Sequence, residues 1–370
     1  MSLAMTTSGS RVLRSDSHAL AGTTRASGPA FDWTVTALCA VFVSGLFLDG
    51  WAHTHGRVDA TFFTPWHAAL YSGFLATSMF LWGSLVRGVM RGYRWRQALP
   101  AGYGLSLLGA ALWVIGGPFD FTWHAVFGFE AGVEALMSPA HGVLALGFSL
   151  MASGPLRAVL RRPPSAWRRD LPLILSLTFL VSALTFFTQI AHPLANLWAS
   201  GTRRDSAAVT ELGLVSFLLT SAIVIGPVLL LLRHGRLPAG AMTILVGLNS
   251  VAMGFLYDQG DYPFAPVAAS MAAGVAADLL RLALRPEVDR AGAFRLYAFA
   301  APAILTGSYF ACLRLTDGIA WSPHLWLGAV VFCGVVGWLL SYLVLPPIAI
   351  SMRVRDGGRY VRDEGEVDLW

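Results

Sequence analysis

Apolar runs long enough to cross a bilayer alternate with short polar connections along nearly the whole chain. They cover roughly 33–52, 65–86, 98–119, 138–158, 171–193, 209–233, 238–257, 264–284, 293–313 and 322–346. The pattern predicts an all-α polytopic membrane protein of about ten transmembrane helices arranged as five hairpins. The seventh and eighth runs are rich in Gly and Ala and are separated by a short polar turn, Tyr257 to Tyr262.

Arginine marks every second connection: Arg87–Arg96, Arg157–Arg169, Arg233 with Arg236, Arg281–Arg295, and the tail Arg353–Arg362. Basic connections stay on the cytoplasmic side, so these loops and both termini are expected there. Only Arg57, Arg203, Arg204 and Arg314 fall on the other connections. The hairpin tips are therefore expected to face the extracytoplasmic side of the cell membrane. A tail over 1–31, polar and without an apolar run, is expected to be disordered and cytoplasmic. A transmembrane domain over 32–350 and a cytoplasmic C-terminal tail over 351–370 complete the division.

Composition agrees with this reading. Of 370 residues, 55% are hydrophobic and 13% are charged, and the mean hydropathy is +0.61. That is too apolar for an ordinary soluble domain. The net charge of +5 does not point to nucleic acid, because the arginines are dispersed over loops and form no single basic patch. The expected surroundings are the lipid bilayer, with a lipophilic small molecule or a redox partner as the interacting species, and an oligomer remains compatible. Cys39, Cys312 and Cys333 all lie in apolar runs and suggest neither a disulfide framework nor a thiolate site. No phosphate-binding loop, nucleophile elbow or HExxH occurs.

Chemistry enters through an internal repeat of a helical hairpin, 32–90 and 98–160. Asp49 and His53, then Thr64-Pro-Trp-His67 and Gly73-Phe74, recur as Asp120 and His124, then Ser138-Pro-Ala-His141 and Gly147-Phe148. An Asp and a His at i and i+4 project from one helix face. They suit two ligands of one ion, or a carboxylate orienting a ligating imidazole. Thr64 or Ser138 can cap the following helix with Pro at its first position, which places His67 or His141 in the first turn. The positive end of the helix dipole favours neutral imidazole there, the form that binds metal. Gly-Phe has a structural reading, as a helix-packing element.

His55, Glu130 and Glu134 stand close in sequence to these groups. The candidate metal ligands are therefore Asp49, His53, His55, His67, Asp120, His124 and His141, with Glu130 as the candidate for proton transfer. Nitrogen and oxygen donors without thiolate suit copper(II) or iron, and zinc also fits. A haem ligated by His67 and His141 is the alternative cofactor. The function expected is a copper or non-haem iron redox enzyme whose site lies at the outer ends of helices one to four. The competing classes are a proton- or cation-translocating transporter or channel and a haem-binding electron carrier. Elsewhere, His192, His324, Asp258 and Asp261 lie at the later hairpin tips, and Asp278 is expected to pair with Arg281.

The run Asp49-x3-His53-x13-His67 resembles the copper-ligand motif in the C subunit of the copper membrane monooxygenases, the particulate methane and ammonia enzymes. The resemblance covers about 20 residues and implies copper held by Asp49, His53 and His67 within the membrane. The second copy, Asp120-x3-His124-x16-His141, has a longer gap, and five hairpins differ from that subunit's architecture. The likeness thus bears on a metal rather than on methane or ammonia as substrate.

Overall fold

A computed structural model describes residues 26–57, 63–128, 133–202, 206–257, 262, 264–347, 352–355 and 359–362. The apolar runs are helical, as they must be where a backbone surrounded by lipid can satisfy its hydrogen bonds only within each segment. In chain order the helices are α1 Pro29–Thr54, α2 Pro65–Met90, α3 Gly104–Phe127, α4 Val133–Met137, α5 Pro139–Ala152, α6 Gly154–Leu160, α7 Trp167–Phe187, α8 Pro193–Asn196, α9 Ala207–Arg233, α10 Ala241–Leu256, α11 Ala265–Leu284, α12 Ala291–Leu315 and α13 Pro323–Val344. The protein is an all-α multi-pass membrane protein. Among the described residues nine spans are long and apolar enough to cross a bilayer, with α5 and α6 counting as one span, Pro139–Leu160.

The seventh predicted helix is present as α10, but its 16 residues rise only about 24 Å, short of the roughly 30 Å hydrocarbon core. Two other helices differ from the expected bounds. Helix α3 starts at Gly104 instead of 98, because a 3-10 turn at Trp95–Gln97, Pro100 and a left-handed Gly102 (φ 100°) interrupt the run. It then continues through Pro118 to Phe127, so Asp120 and His124 stand inside a helix rather than beyond its end. Helix α7 stops at Phe187, where the chain breaks into a 3-10 turn at Gln189–Ala191 and the short α8.

Each repeat hairpin is closed by glycine. A Cβ on Gly73 would lie 2.5 Å from the Phe42 Cα, and one on Gly45 would lie 2.8 Å from the Leu70 Cα, so α1 and α2 meet backbone to backbone. In the second copy Gly147 stands against Trp113 (2.5 Å to Cδ1) and Gly116 against Leu144 (2.7 Å to Cδ2). Small residues permit such contact where no hydrophobic force separates helix from lipid. The Gly of each Gly-Phe pair is thus a packing residue.

Helix α7 lies between the repeat half and the second half. One of its faces contributes Phe179 and Phe186 to a core with Phe42, Phe74, Trp113 and Phe148. The other contributes Leu173, Leu177 and Val181 to a core with Leu229, Leu245, Phe294 and Tyr297. The outer surface carries exposed Val41, Leu75, Ile115, Phe332 and Leu339, the apolar belt that lipid requires.

The arginine-bearing end is tied by specific bonds. Asp32, wholly buried, accepts from the Tyr103 hydroxyl (2.7 Å) and from Arg162 (2.5 Å). Arg236 donates to the carbonyls of Arg162 and Val159 and lies 3.6 Å from Asp170. Asp278 differs from its expected pairing with Arg281. Its carboxylate accepts from the backbone N–H groups of Met242 and Thr243 and from the Thr243 hydroxyl, satisfying donors left open at the start of α10. Within the C-terminal tail, Met352–Arg355 and Arg359–Arg362 pair as an antiparallel hairpin.

Candidate metal centre

The helix caps place the second histidine of each copy. The Thr64 hydroxyl accepts from the His67 N–H at 3.1 Å, and Ser138 accepts from the His141 N–H at 3.2 Å, with Pro65 and Pro139 opening the two helices. This fixes His67 in a first turn that faces Asp49 and His53 of α1, and His141 in a first turn that faces Asp120 and His124 of α3.

Two triads result. In the first, the His67 Nε2 lies 3.6 Å from Asp49 Oδ1 and the His53 Nε2 lies 3.9 Å from Asp49 Oδ2. In the second, the Nε2 atoms of His124 and His141 lie 3.5 and 3.2 Å from Asp120 Oδ1. Within each triad the potential ligand atoms all lie within 4.8 Å of one another. Asp49 Oδ1 and Asp120 Oδ1 are buried and make no hydrogen bond. Two donors of one ion, each bonded at about 2.0–2.2 Å, stand roughly 3.0–3.9 Å apart for angles between 90° and 130°. The observed separations fall in that range, and three of the four exceed hydrogen-bonding length. Of the two roles open to the carboxylates, ligand therefore fits better than orienting acceptor. One carboxylate with two imidazoles is also the donor set of mononuclear non-haem iron sites.

Both triads line one cavity of about 500 Å³. The walls are supplied by α1, α2, α3, α4, α5 and α7, and Thr54, Gln189 and Tyr257 are further polar lining residues, the Tyr257 hydroxyl donating to Gln189 Oε1 at 2.9 Å. The floor is aromatic. Phe42 meets Trp113 edge-on at 4.7 Å and Phe148 at 4.9 Å, while Phe74 stacks on Trp113 at 5.0 Å. These four rings occupy equivalent positions of the two copies: Phe42 and Trp113 come seven residues before the Asp, and Phe74 and Phe148 seven after the second His.

The copies part at one wall. Tyr71, four residues after His67, sets its hydroxyl against Gly117, where a Cβ would be 3.3 Å away. The matching position after His141 is Ala145, which also lines the cavity.

Not every candidate reaches the site. His55 follows the last residue of α1, two residues and about 200° round the helix from His53. Its ring stacks on Trp51 (4.9 Å) and its Nδ1 lies 2.9 Å from the Trp51 carbonyl, so it joins neither triad. Glu130 lies outside the described residues, as do Asp258, Asp261 and the side chain of Glu134. His324 is exposed at the start of α13, away from the cavity. His192 is buried elsewhere, and its Nδ1 accepts from the Leu194 N–H at 3.3 Å, so the neutral ring carries its proton on Nε2. Burial pushes its pKa down to about 3. The sequence reading overlooked Tyr71, Trp113, Gln189 and Tyr257. Trp113 had a signal in the repeat register, where it matches Phe42; Tyr71 matches Ala145 and had none, and the others come from distant segments.

Comparison with protein-family models, with curated proteins and with solved structures returned no match to this chain.

Proposed function

We propose that this membrane protein is a metal-dependent redox enzyme holding copper or non-haem iron in two Asp-His-His triads, Asp49/His53/His67 and Asp120/His124/His141, that serve a shared apolar cavity. The observation that carries the reading is the duplicate geometry. Twice, a carboxylate with one buried oxygen that makes no hydrogen bond faces two imidazole nitrogens at ligand-to-ligand separation. Uncompensated buried charge is costly, and a bound cation is the ordinary way to offset it. The local likeness to the copper monooxygenase subunit favours copper at the first triad.

An ion of this kind supplies one-electron chemistry and a means of activating dioxygen. The chain's own residues do the rest. The caps at Thr64 and Ser138 hold His67 and His141 in place, the aromatic floor excludes water, and the Tyr71 hydroxyl offers a proton from the cavity wall. By the arginine distribution the site opens on the extracytoplasmic side of the cell membrane.

Two rivals fare less well. The floor of Phe42, Trp113 and Phe148, with Phe74 stacked on Trp113, obstructs a continuous ion path below the triads. Haem ligation by His67 and His141 would draw both rings away from carboxylates that already lie against their Nε2 atoms.

Elemental analysis and an optical spectrum of detergent-purified protein, wild type beside a His67→Ala/His141→Ala variant, test the proposal. Stoichiometric copper or iron in the wild type and its loss in the variant are expected. Equal metal in both samples, metal in neither, or a haem Soret band would refute it.

A further inference from the structure

Three of the helices that line the cavity, α1, α3 and α5, grade in the same sense, from aromatic side chains to the triads. Along α1 the lining side chains run from Phe42 and Leu46 to Asp49 and His53, and along α5 from Phe148 and Ala145 to His141. Helix α3 runs from Trp113 to Asp120 and His124. The apolar part reaches from the triads toward the aromatic floor over roughly 10–16 Å, the rise between His141 and Phe148 and between His53 and Phe42.

The two copies line the cavity differently. Tyr71 lies against Gly117, whereas their counterparts are Ala145 and Leu46, which both line the cavity. At about 30 Å³ per water-sized group, 500 Å³ accommodates roughly 16 such groups. That suits one slender chain and is within the range of small-molecule sites.

We infer that the cavity binds a single-chain amphipathic molecule of the fatty-alcohol class, about 12 carbons long. Its polar end lies at the triads and its chain runs along Leu46 and Ala145 to the floor of Phe42 and Phe148. Ala145 sets the width of the chain site, and Phe148 sets its depth. A two-chain lipid does not fit the volume. The apolar walls give the chain a dry, preformed site, and among the described lining residues the charged groups with which a hydroxyl can interact are those of the triads. The inference rests on the functional reading above for its chemistry, but its binding test stands apart from metal content.

The test uses the full chain in lipid nanodiscs and a primary alcohol of about 12 carbons with a terminal diazirine as the probe. Photolabelled residues are mapped by mass spectrometry, and metal is assayed on the same sample. Labelling is expected at the cavity floor, on Phe42, Phe148 or their immediate neighbours, and excess unlabelled alcohol should suppress it. Ala145→Phe should cut that labelling about tenfold, with Leu46→Phe as a second blocking variant should the first fail to fold. Phe148→Ala should admit a probe about four carbons longer. Labelling confined to lipid-facing positions such as Val41 and Leu75, or floor labelling indifferent to competitor and to both blocking variants, would overturn the inference. Floor labelling with these properties in protein that holds no metal would uphold the binding site and overturn the metal reading alone.

Discussion

Asp120→Asn should change the stability of the protein in opposite directions with and without metal. Asp120 is 3% exposed, and its Oδ1 is buried with no hydrogen bond, 3.5 and 3.2 Å from two imidazole nitrogens. Without metal this buried carboxylate oxygen has no hydrogen bond to offset its desolvation. Asparagine keeps the shape and removes the charge, which should stabilise the metal-free protein by about 1–3 kcal/mol. With metal at 100-fold over its dissociation constant, each intact triad contributes about 2.7 kcal/mol, so wild type gains twice that and the variant gains it once. The variant should then be the less stable of the two by roughly 0–2 kcal/mol. Apparent melting temperatures by intrinsic fluorescence, after chelator treatment and after metal loading, read both effects. A lowered melting temperature in the metal-free variant together with a metal-induced gain equal to that of wild type would refute the reasoning.

Three further outcomes are expected. Thr64→Ala and Ser138→Ala each remove an acceptor for the N–H of a ligating histidine, and each should cost about 1 kcal/mol in melting experiments and weaken metal retention in a chelator titration; unchanged retention would separate the caps from the site. Gly73→Ala should destabilise the first hairpin by about 1–3 kcal/mol, because the new methyl meets the Phe42 backbone, whereas Gly83→Ala meets nothing within 4 Å and should be neutral or stabilising; equal effects in thermal unfolding would refute the packing argument. His192 is held neutral by burial, with its pKa lowered from 6.5 to about 3, so the unfolded chain takes up its proton first on acidification. Its contribution is complete above pH 6.5 and falls by about 1.4 kcal/mol per pH unit down to about 3; a His192→Gln variant with the same acid slope in chemical unfolding would refute this.

The residues that closed the site show where sequence reasoning ends. Asp49 with His53, and Asp120 with His124, were legible because their spacing is a property of one helix. His67 and His141 were legible because their caps are local, and repetition made the four positions stand out. His55 looked equivalent to His53 by proximity, but the helix ends beside it and its ring turns onto Trp51. Tyr71 carries no sign of a role within its own segment; contact with Gly117 of another helix sets its hydroxyl on the cavity wall.

By itself the sequence determined the membrane class, the positions of ten helices and the internal repeat, because lipid enforces apolar length and helical backbone segment by segment. It also determined which Asp and His share a helix face, since 3.6-residue periodicity needs no partner. Only the tertiary structure decided that the two triads open into one cavity, that Phe42, Trp113 and Phe148 close its floor with Phe74 stacked on Trp113, and that Ala145 joins its lining. Those features depend on how glycine contacts set the distance between helices and on which side chains of different helices meet, relations that are not written in the periodicity of any one segment.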